Sequence, residues 1–174
     1  MKPNNRILII VLMIIGAAAC RLITNYLHLW NFTPIAAIGL FAGATLKDKK
    51  LSFLVPLVAM FLTDIILGLH EGLFIIYFCM ALITFIGIWL ENRQSILNIL
   101  GASLLSSVLF YLLTNFFVWF QNPMHSQTFQ GLIGCYTKAI PFFGNTVAGD
   151  LFFSGALFGG YAYIKSRNTV KVKN

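Results

Sequence analysis

The chain has 174 residues, 59% of them hydrophobic and only 10% charged, with a mean hydropathy of +0.84. Soluble domains carry about 25% charged residues, so this composition excludes a soluble enzyme or binding module and describes an integral membrane protein. The net charge of +7 does not point to nucleic acid, because the basic residues stand at the ends of apolar runs rather than on one polar face.

Each membrane span with its connection uses about 25–30 residues, so this length allows five or six spans in a single domain over residues 1–174. The fold class expected is an all-α bundle of six transmembrane helices. The first segment, about 7–23, follows a charged start and ends in GAAAC. That order also has the form of a secretory signal. The apolar run continues past Arg21 to Leu22 and Ile23, which favours a first helix that is retained.

Segment two, about 34–46, is unusually short. Its 13 residues reach about 20 Å as a helix, against a hydrocarbon core of about 30 Å. The residues before it, TNYLHLWNFT, are too polar and aromatic to face lipid. Irregular backbone at membrane depth is tolerated only where it is buried in protein or lines a cavity. Asn31 or Thr33 is expected to cap this helix, with Pro34 in its first turn, so that the helix starts below the outer surface under an inward-dipping loop.

Segments three (51–68) and four (73–90) flank the tripeptide His70-Glu71-Gly72. The surrounding LHEGLF is no HExxH, and His28 and His125 stand alone, so no metal ligand set and no cofactor is expected. Segment five (96–120) carries Ser103, Ser107, Tyr111, Asn115 and Trp119 at intervals of four, one stripe along a helix face. A long loop, 121–141, with room for a short interfacial helix leads to segment six (142–164). Cys20, Cys79 and Cys135 are odd in number and far apart, which suits packing rather than disulfides or zinc.

Lysine and arginine near span ends stay cytoplasmic. With six spans one side holds Lys2, Arg6, Lys47, Lys49, Lys50, Arg93, Lys165, Arg167, Lys171 and Lys173, and the other only Arg21 and Lys138. Both termini are therefore expected in the cytoplasm, and segment two must cross.

An ionised group at mid-membrane costs roughly 2.5–3.5 kcal/mol even on the lenient insertion scale, so Asp64 in segment three and Asp150 in segment six are the informative acids. Each can pair with Arg21 or Lys138 to lock the bundle, or can contact a ligand. Asn25, Trp30, Asn31, Thr33, Asp64, Asn115, Trp119, Asn145 and Asp150 converge on the outer half of the bundle and are the candidate substrate-binding residues. Interhelical hydrogen bonding with an aromatic belt is the structural alternative. Gly16, Ala17, Ala18, Ala19, Gly39, Gly43, Gly155 and Gly159 form small surfaces, suited either to internal packing or to docking another membrane subunit.

The stretches NFTPIAAIGLFAGA, PLVAMFLTDIILGLH, TNFFVWF and IPFFGNTVAGDLFFSGALFGG resemble a family of small bacterial membrane proteins described as transport proteins. That family is similar to the substrate-binding S components of energy-coupling factor transporters. The resemblance implies six helices, a vitamin-type ligand near the outer side, capture through the loop after helix one, and docking onto a transmembrane coupling protein driven by two ATPases. It places Asn31 to Pro34, Asp64, Asn115, Asn145 and Asp150 near the ligand. The alanine-rich docking face of that group is present only as GAAAC, and no signature names a vitamin.

The expected function is thus a substrate-binding subunit in the bacterial inner membrane that takes up a small polar organic compound. A roof of residues 24–33 and the 121–141 loop would stand over segments three, five and six. No GxxxxGK[ST] loop is present, so no ATPase activity belongs to this chain. A solitary ion- or proton-coupled transporter or channel using Asp64 and Asp150, an aspartyl intramembrane enzyme and a purely structural membrane protein remain the alternatives.

Overall fold

A computed structural model describes residues 3–69, 71–122 and 126–171. The described residues are all-helical, with six helices: α1 (Pro3–Tyr26), α2 (Ile35–Thr45), α3 (Lys49–Leu67), α4 (Leu73–Trp89), α5 (Ile96–Gln121) and α6 (Phe129–Lys171). Among them, three helices are long and apolar enough to cross a membrane: Lys49–Leu67, Ile96–Gln121 and Phe129–Ser166. Much of the outer surface is apolar, with side chains such as Leu62, Ile66, Phe85 and Phe152 exposed, as expected where the surrounding medium is lipid.

The shortest helix lies at the centre. Nine of the eleven residues of α2 are buried, and it touches each of the other five helices. A helix that is apolar all round has no face to offer water and is stable only inside a bundle. Its 11 residues reach about 16 Å.

Glycine sets the closest contact, between α2 and α4. A methyl group on Gly43 would fall 2.7 Å from the Ile88 nitrogen, and one on Gly87 would fall 2.8 Å from the Leu40 Cα. The two backbones therefore pack directly on each other, the arrangement that small residues permit between membrane helices. Gly39, 3.1 Å by the same measure from the Thr84 hydroxyl, belongs to this seam. Of the two readings of Gly39 and Gly43, internal packing or docking, the burial of both in the α2–α4 contact matches the first.

One end of the bundle is closed by polar turns. Asp48 caps α3 by accepting from the Lys50 and Leu51 backbone nitrogens, at 3.0 and 3.4 Å, and Ser95 caps α5 through the Asn98 nitrogen at 3.2 Å. Lys49 pairs with Glu91 at 2.9 Å, and the Gln94 side chain donates to the Ala44 carbonyl at 2.9 Å. The α2–α3 and α4–α5 turns therefore share one end.

Two local expectations are corrected. Neither Asn31 nor Thr33 caps α2: Pro34 itself is the N-cap, without a side-chain hydrogen bond. The second concerns residues 121–141, read as a long loop. Helix α6 already begins at Phe129 and runs through Pro141. A proline inside a helix removes one donor, but here α5 supports the helix on the preceding side. Tyr136 donates to the Leu112 carbonyl at 2.7 Å, and Tyr111 donates to the Tyr136 carbonyl at 2.6 Å.

Candidate functional site

Arg21 is the starting point, because a guanidinium within an apolar helix needs a partner. Its Nη1 donates to Asp64 Oδ1 at 2.7 Å and to the Met60 carbonyl at 3.3 Å, and also to the Thr63 hydroxyl. The second carboxylate oxygen of Asp64 accepts from the Tyr77 hydroxyl at 2.9 Å. Asp64 is 1% exposed, and charge-assisted bonds to both oxygens are what make a buried carboxylate tolerable. The group joins α1, α3 and α4, and it gives Arg21 the ion-pair partner that the sequence offered as one of its two readings.

The stripe on α5 faces α6 along its length. Ser103 lies 3.5 Å from the Ser154 hydroxyl, Ser107 donates to Asp150 Oδ2 at 2.6 Å, and the Tyr111 ring lies 4.6 Å from that of Phe143. Further along, Cys135 Sγ contacts the Asn115 carbonyl at 3.5 Å, and Trp119 Nε1 donates to the Ser126 carbonyl at 3.0 Å. An interval of four on α5 meets an interval of four, Asp150 to Ser154, on α6, which is the geometry of two antiparallel helix faces. Most of the stripe is therefore a hydrogen-bonded seam. Asp150 is its exception, since its Oδ1 has no partner among the described residues.

Between these two polar assemblies lies a cavity of about 120 Å³ to which all six helices contribute. Arg21, Asn31, Thr33, Thr146 and Asp150 give it polar groups, and Met60, Ile76, Met80 and Phe110 give it an apolar wall. Ile35 and Ala36, the first turn of α2, complete it. A mostly apolar hollow with a few convergent polar groups is the ordinary make-up of a small-molecule site. Its volume lies below the roughly 300–1,000 Å³ of drug-sized pockets, so it suits a compact ligand.

The α1–α2 connection covers the cavity. His28 and Asn31 adopt positive φ of 56° and 64°, which turns the chain back towards the bundle. The Asn145 side chain donates to the Trp30 carbonyl at 3.0 Å, and the Phe32 ring lies 5.4 Å from that of Phe153. Gly149 permits the approach: a methyl group there would stand 3.2 Å from the Phe32 Cα and the Thr33 nitrogen. The connection thus meets α6 one residue from Asp150, twenty residues along from the first residue of α6.

Of the nine candidate binding residues, Asn31, Thr33 and Asp150 line the cavity. Asp64 stands behind Arg21, Asn145 holds the connection from outside, and Trp30 is about half exposed beside His28. Asn25 is half-buried off the cavity wall. Asn115 belongs to the α5–α6 seam, where its side chain donates to its own helix at the Tyr111 carbonyl, 2.8 Å away, and Trp119 contacts Ser126 in the segment before α6. The described residues of the 121–141 stretch contribute nothing to the cavity wall. His70 and His125 lie outside the described residues. Sequence reasoning missed Tyr77, Thr146 and the apolar wall. Thr146 had a usable signal, since it precedes Asp150 by four residues and so shares its helix face. The wall had none, because its residues are like the apolar residues around them.

The small residues divide by position. Ala17 is buried and Ala18 half-buried, whereas Gly16, Ala19, Gly155 and Gly159 are exposed. A methyl group on Gly16, Gly155 or Gly159 would meet nothing within 4 Å.

The fold and the cavity together describe an all-helical protein with membrane-compatible helices around a small internal hollow. Residues 1–172 match a family of unknown function, DUF6580, and the chain belongs to that family. No curated protein and no solved structure matches the chain.

Proposed function

We propose that this chain is a membrane-embedded binding subunit for uptake of a small polar organic compound, resembling the S components of energy-coupling factor transporters. The observation that carries the reading is the cavity beneath the α1–α2 connection, where Asn31, Thr33, Arg21 and Asp150 converge on an apolar wall. In this reading all six helices lie within the inner membrane of a bacterium, both termini are cytoplasmic, and the short α2 is inserted deep in the bundle. The shared end of the α2–α3 and α4–α5 turns, rich in Lys47, Lys49, Lys50 and Arg93, supports that orientation under the positive-inside rule.

Energy for transport then comes from outside the chain, which carries no phosphate-binding loop. The partner is a transmembrane coupling protein with two ATPases. The exposed small residues Gly16, Ala19, Gly155 and Gly159 are the available close-contact surface for it.

The test is purification in detergent followed by mass spectrometry of co-purifying small molecules. A reproducible compound is expected from the wild type and from Asn115→Ala, whose side chain is off the cavity wall, and its loss is expected from Asp150→Ala. Empty preparations in every case would count against a binding subunit. Recovery of an ATPase pair with the chain decides between a subunit and a solitary carrier.

A further inference from the structure

We infer that the cavity takes a small amphoteric molecule, with its anionic or strongly accepting group at the N-terminus of α2 and its ammonium or other strong donor at Asp150. The inference rests on the binding-subunit reading above and narrows its substrate class.

One pole is the start of α2. The first hydrogen bond of this helix runs from the Ile38 nitrogen to the Pro34 carbonyl, 2.8 Å. The N–H groups of Ile35, Ala36 and Ala37 therefore have no acceptor among the described residues, and no side chain caps them. At an exposed helix end water supplies the missing acceptors. Here the three residues are 2%, 7% and 0% exposed, and Ile35 and Ala36 line the cavity. A helix N-terminus carries partial positive charge and binds anionic groups through these N–H groups. Arg21 lines the same cavity, and its Nε and Nη2 donate to none of the described residues.

The other pole is Asp150, 3% exposed, with Oδ2 held by Ser107 and Oδ1 unpartnered among the described residues. Arg21 does not neutralise it, because the guanidinium is already paired with Asp64. A buried carboxylate without a counter-charge is costly.

A single ion satisfies only one pole. An ionised Asp150 repels a simple anion, while a simple cation leaves three buried N–H groups without acceptors. One molecule carrying both groups satisfies both poles and brings no net charge into the membrane interior. Met60, Ile76, Met80 and Phe110 form the wall beside these groups, which suits a short hydrocarbon link. The volume of about 120 Å³ limits that link to a few carbons.

The test is calorimetric titration of the detergent-purified full chain with amino acids of two to five carbons. Monocarboxylates and monoamines of matching length serve as single-pole probes. At least one amino acid is expected to bind about 10- to 100-fold more tightly than both of its single-pole analogues, the range of one or two charged hydrogen bonds. Asp150→Asn is expected to remove the advantage of the amino acid over the monocarboxylate. Ser107→Ala, which leaves the carboxylate in place, is expected to retain it. Monodispersity on size exclusion confirms that the variants fold.

Equal binding of amino acid and single-pole analogue, or a co-purified ligand that is neutral or singly charged, would overturn the amphoteric assignment and leave the binding reading standing. No binding by any of the three classes, together with empty preparations, would remove the binding reading and this inference with it.

Discussion

Arg21 of α1 and Asp64 of α3 meet at 2.7 Å across 43 residues of sequence, with the Tyr77 hydroxyl closing the other side of the carboxylate at 2.9 Å. The pair holds three helices at one level and fixes the guanidinium beside the cavity. Its side chains are 15% and 1% exposed, so solvent screens it little. Breaking such a pair from one side leaves a buried charge without a partner, at a cost of about 3–5 kcal/mol. Asp64→Ala is therefore expected to lower the detergent melting temperature strongly. Tyr77→Phe, which removes one hydrogen bond to a charged group, is expected to cost about 1.5–3 kcal/mol. An Asp64→Ala protein that melts with the wild type would show that the pair does not hold the bundle.

The glycines of α2 and α4 yield a second prediction, with its control in the same protein. Gly43→Ala and Gly87→Ala each drive a methyl group into the backbone of the facing helix, and overpacking of this kind costs about 1–3 kcal/mol or more. Gly16→Ala and Gly155→Ala have open space within 4 Å and gain helix propensity of up to about 1 kcal/mol. The first pair is expected to melt lower and the second pair unchanged or higher. If Gly16 and Gly155 also form a docking surface, their variants keep full stability and ligand occupancy while recovering less of a coupling partner. Equal melting of all four would refute the direct backbone contact between α2 and α4.

The path from sequence to fold was clear where periodicity and punctuation agreed. Helices α3, α4 and α5 lie within a few residues of the apolar segments because Asp48, Gly72 and Ser95 mark their starts. The unusual length of 34–46 correctly singled out α2, and its all-round apolar character explains the central position that the chain order does not show. Residues 129–141 were opaque. Their helicity is supported by tertiary hydrogen bonds, from Tyr136 to the Leu112 carbonyl of α5 and from Tyr111 to the Tyr136 carbonyl of α6, which no local pattern reveals, and Pro141 resembles a helix start. For the candidate site, an acid within an apolar helix was legible, but whether it pairs or stays free was not. Asp64 and Asp150 have similar apolar surroundings in sequence, and only packing gives one of them an arginine.

The connection over the cavity provides a third prediction. Asn145 donates to the Trp30 carbonyl, and Gly149 allows Phe32 and Thr33 to rest against α6. Asn145→Ala removes a single hydrogen bond at an exposed position, so a stability loss of only about 0.5–1.5 kcal/mol is expected. Gly149→Val must displace the connection, because the nearest backbone atoms stand 3.2 Å from a first methyl group. Occupancy of any co-purified ligand is expected to fall in both variants and further in Gly149→Val. Wild-type occupancy in Gly149→Val would mean that the connection takes no part in retention.

The placement of the turns makes the proposed orientation directly testable. Asp48 and Asn92 are exposed and lie in the two turns joined by the Lys49–Glu91 pair and the Gln94–Ala44 hydrogen bond, so both must report the same side of the membrane. Lys138 lies near the start of α6, at the opposite end of that helix from Lys165. Cysteines introduced as Asp48→Cys or Asn92→Cys are expected to react with a membrane-impermeant maleimide only in inverted vesicles, and Lys138→Cys only in intact cells. The native thiols interfere little, since Cys79 and Cys135 are buried, and replacing half-buried Cys20 with serine removes the remaining background. Labelling of position 48 from one side and 92 from the other contradicts the packed turns themselves. Labelling of both from outside leaves the fold intact but inverts the protein in the membrane, and the cavity beneath the α1–α2 connection would then open towards the cytoplasm, where it could not capture an external substrate.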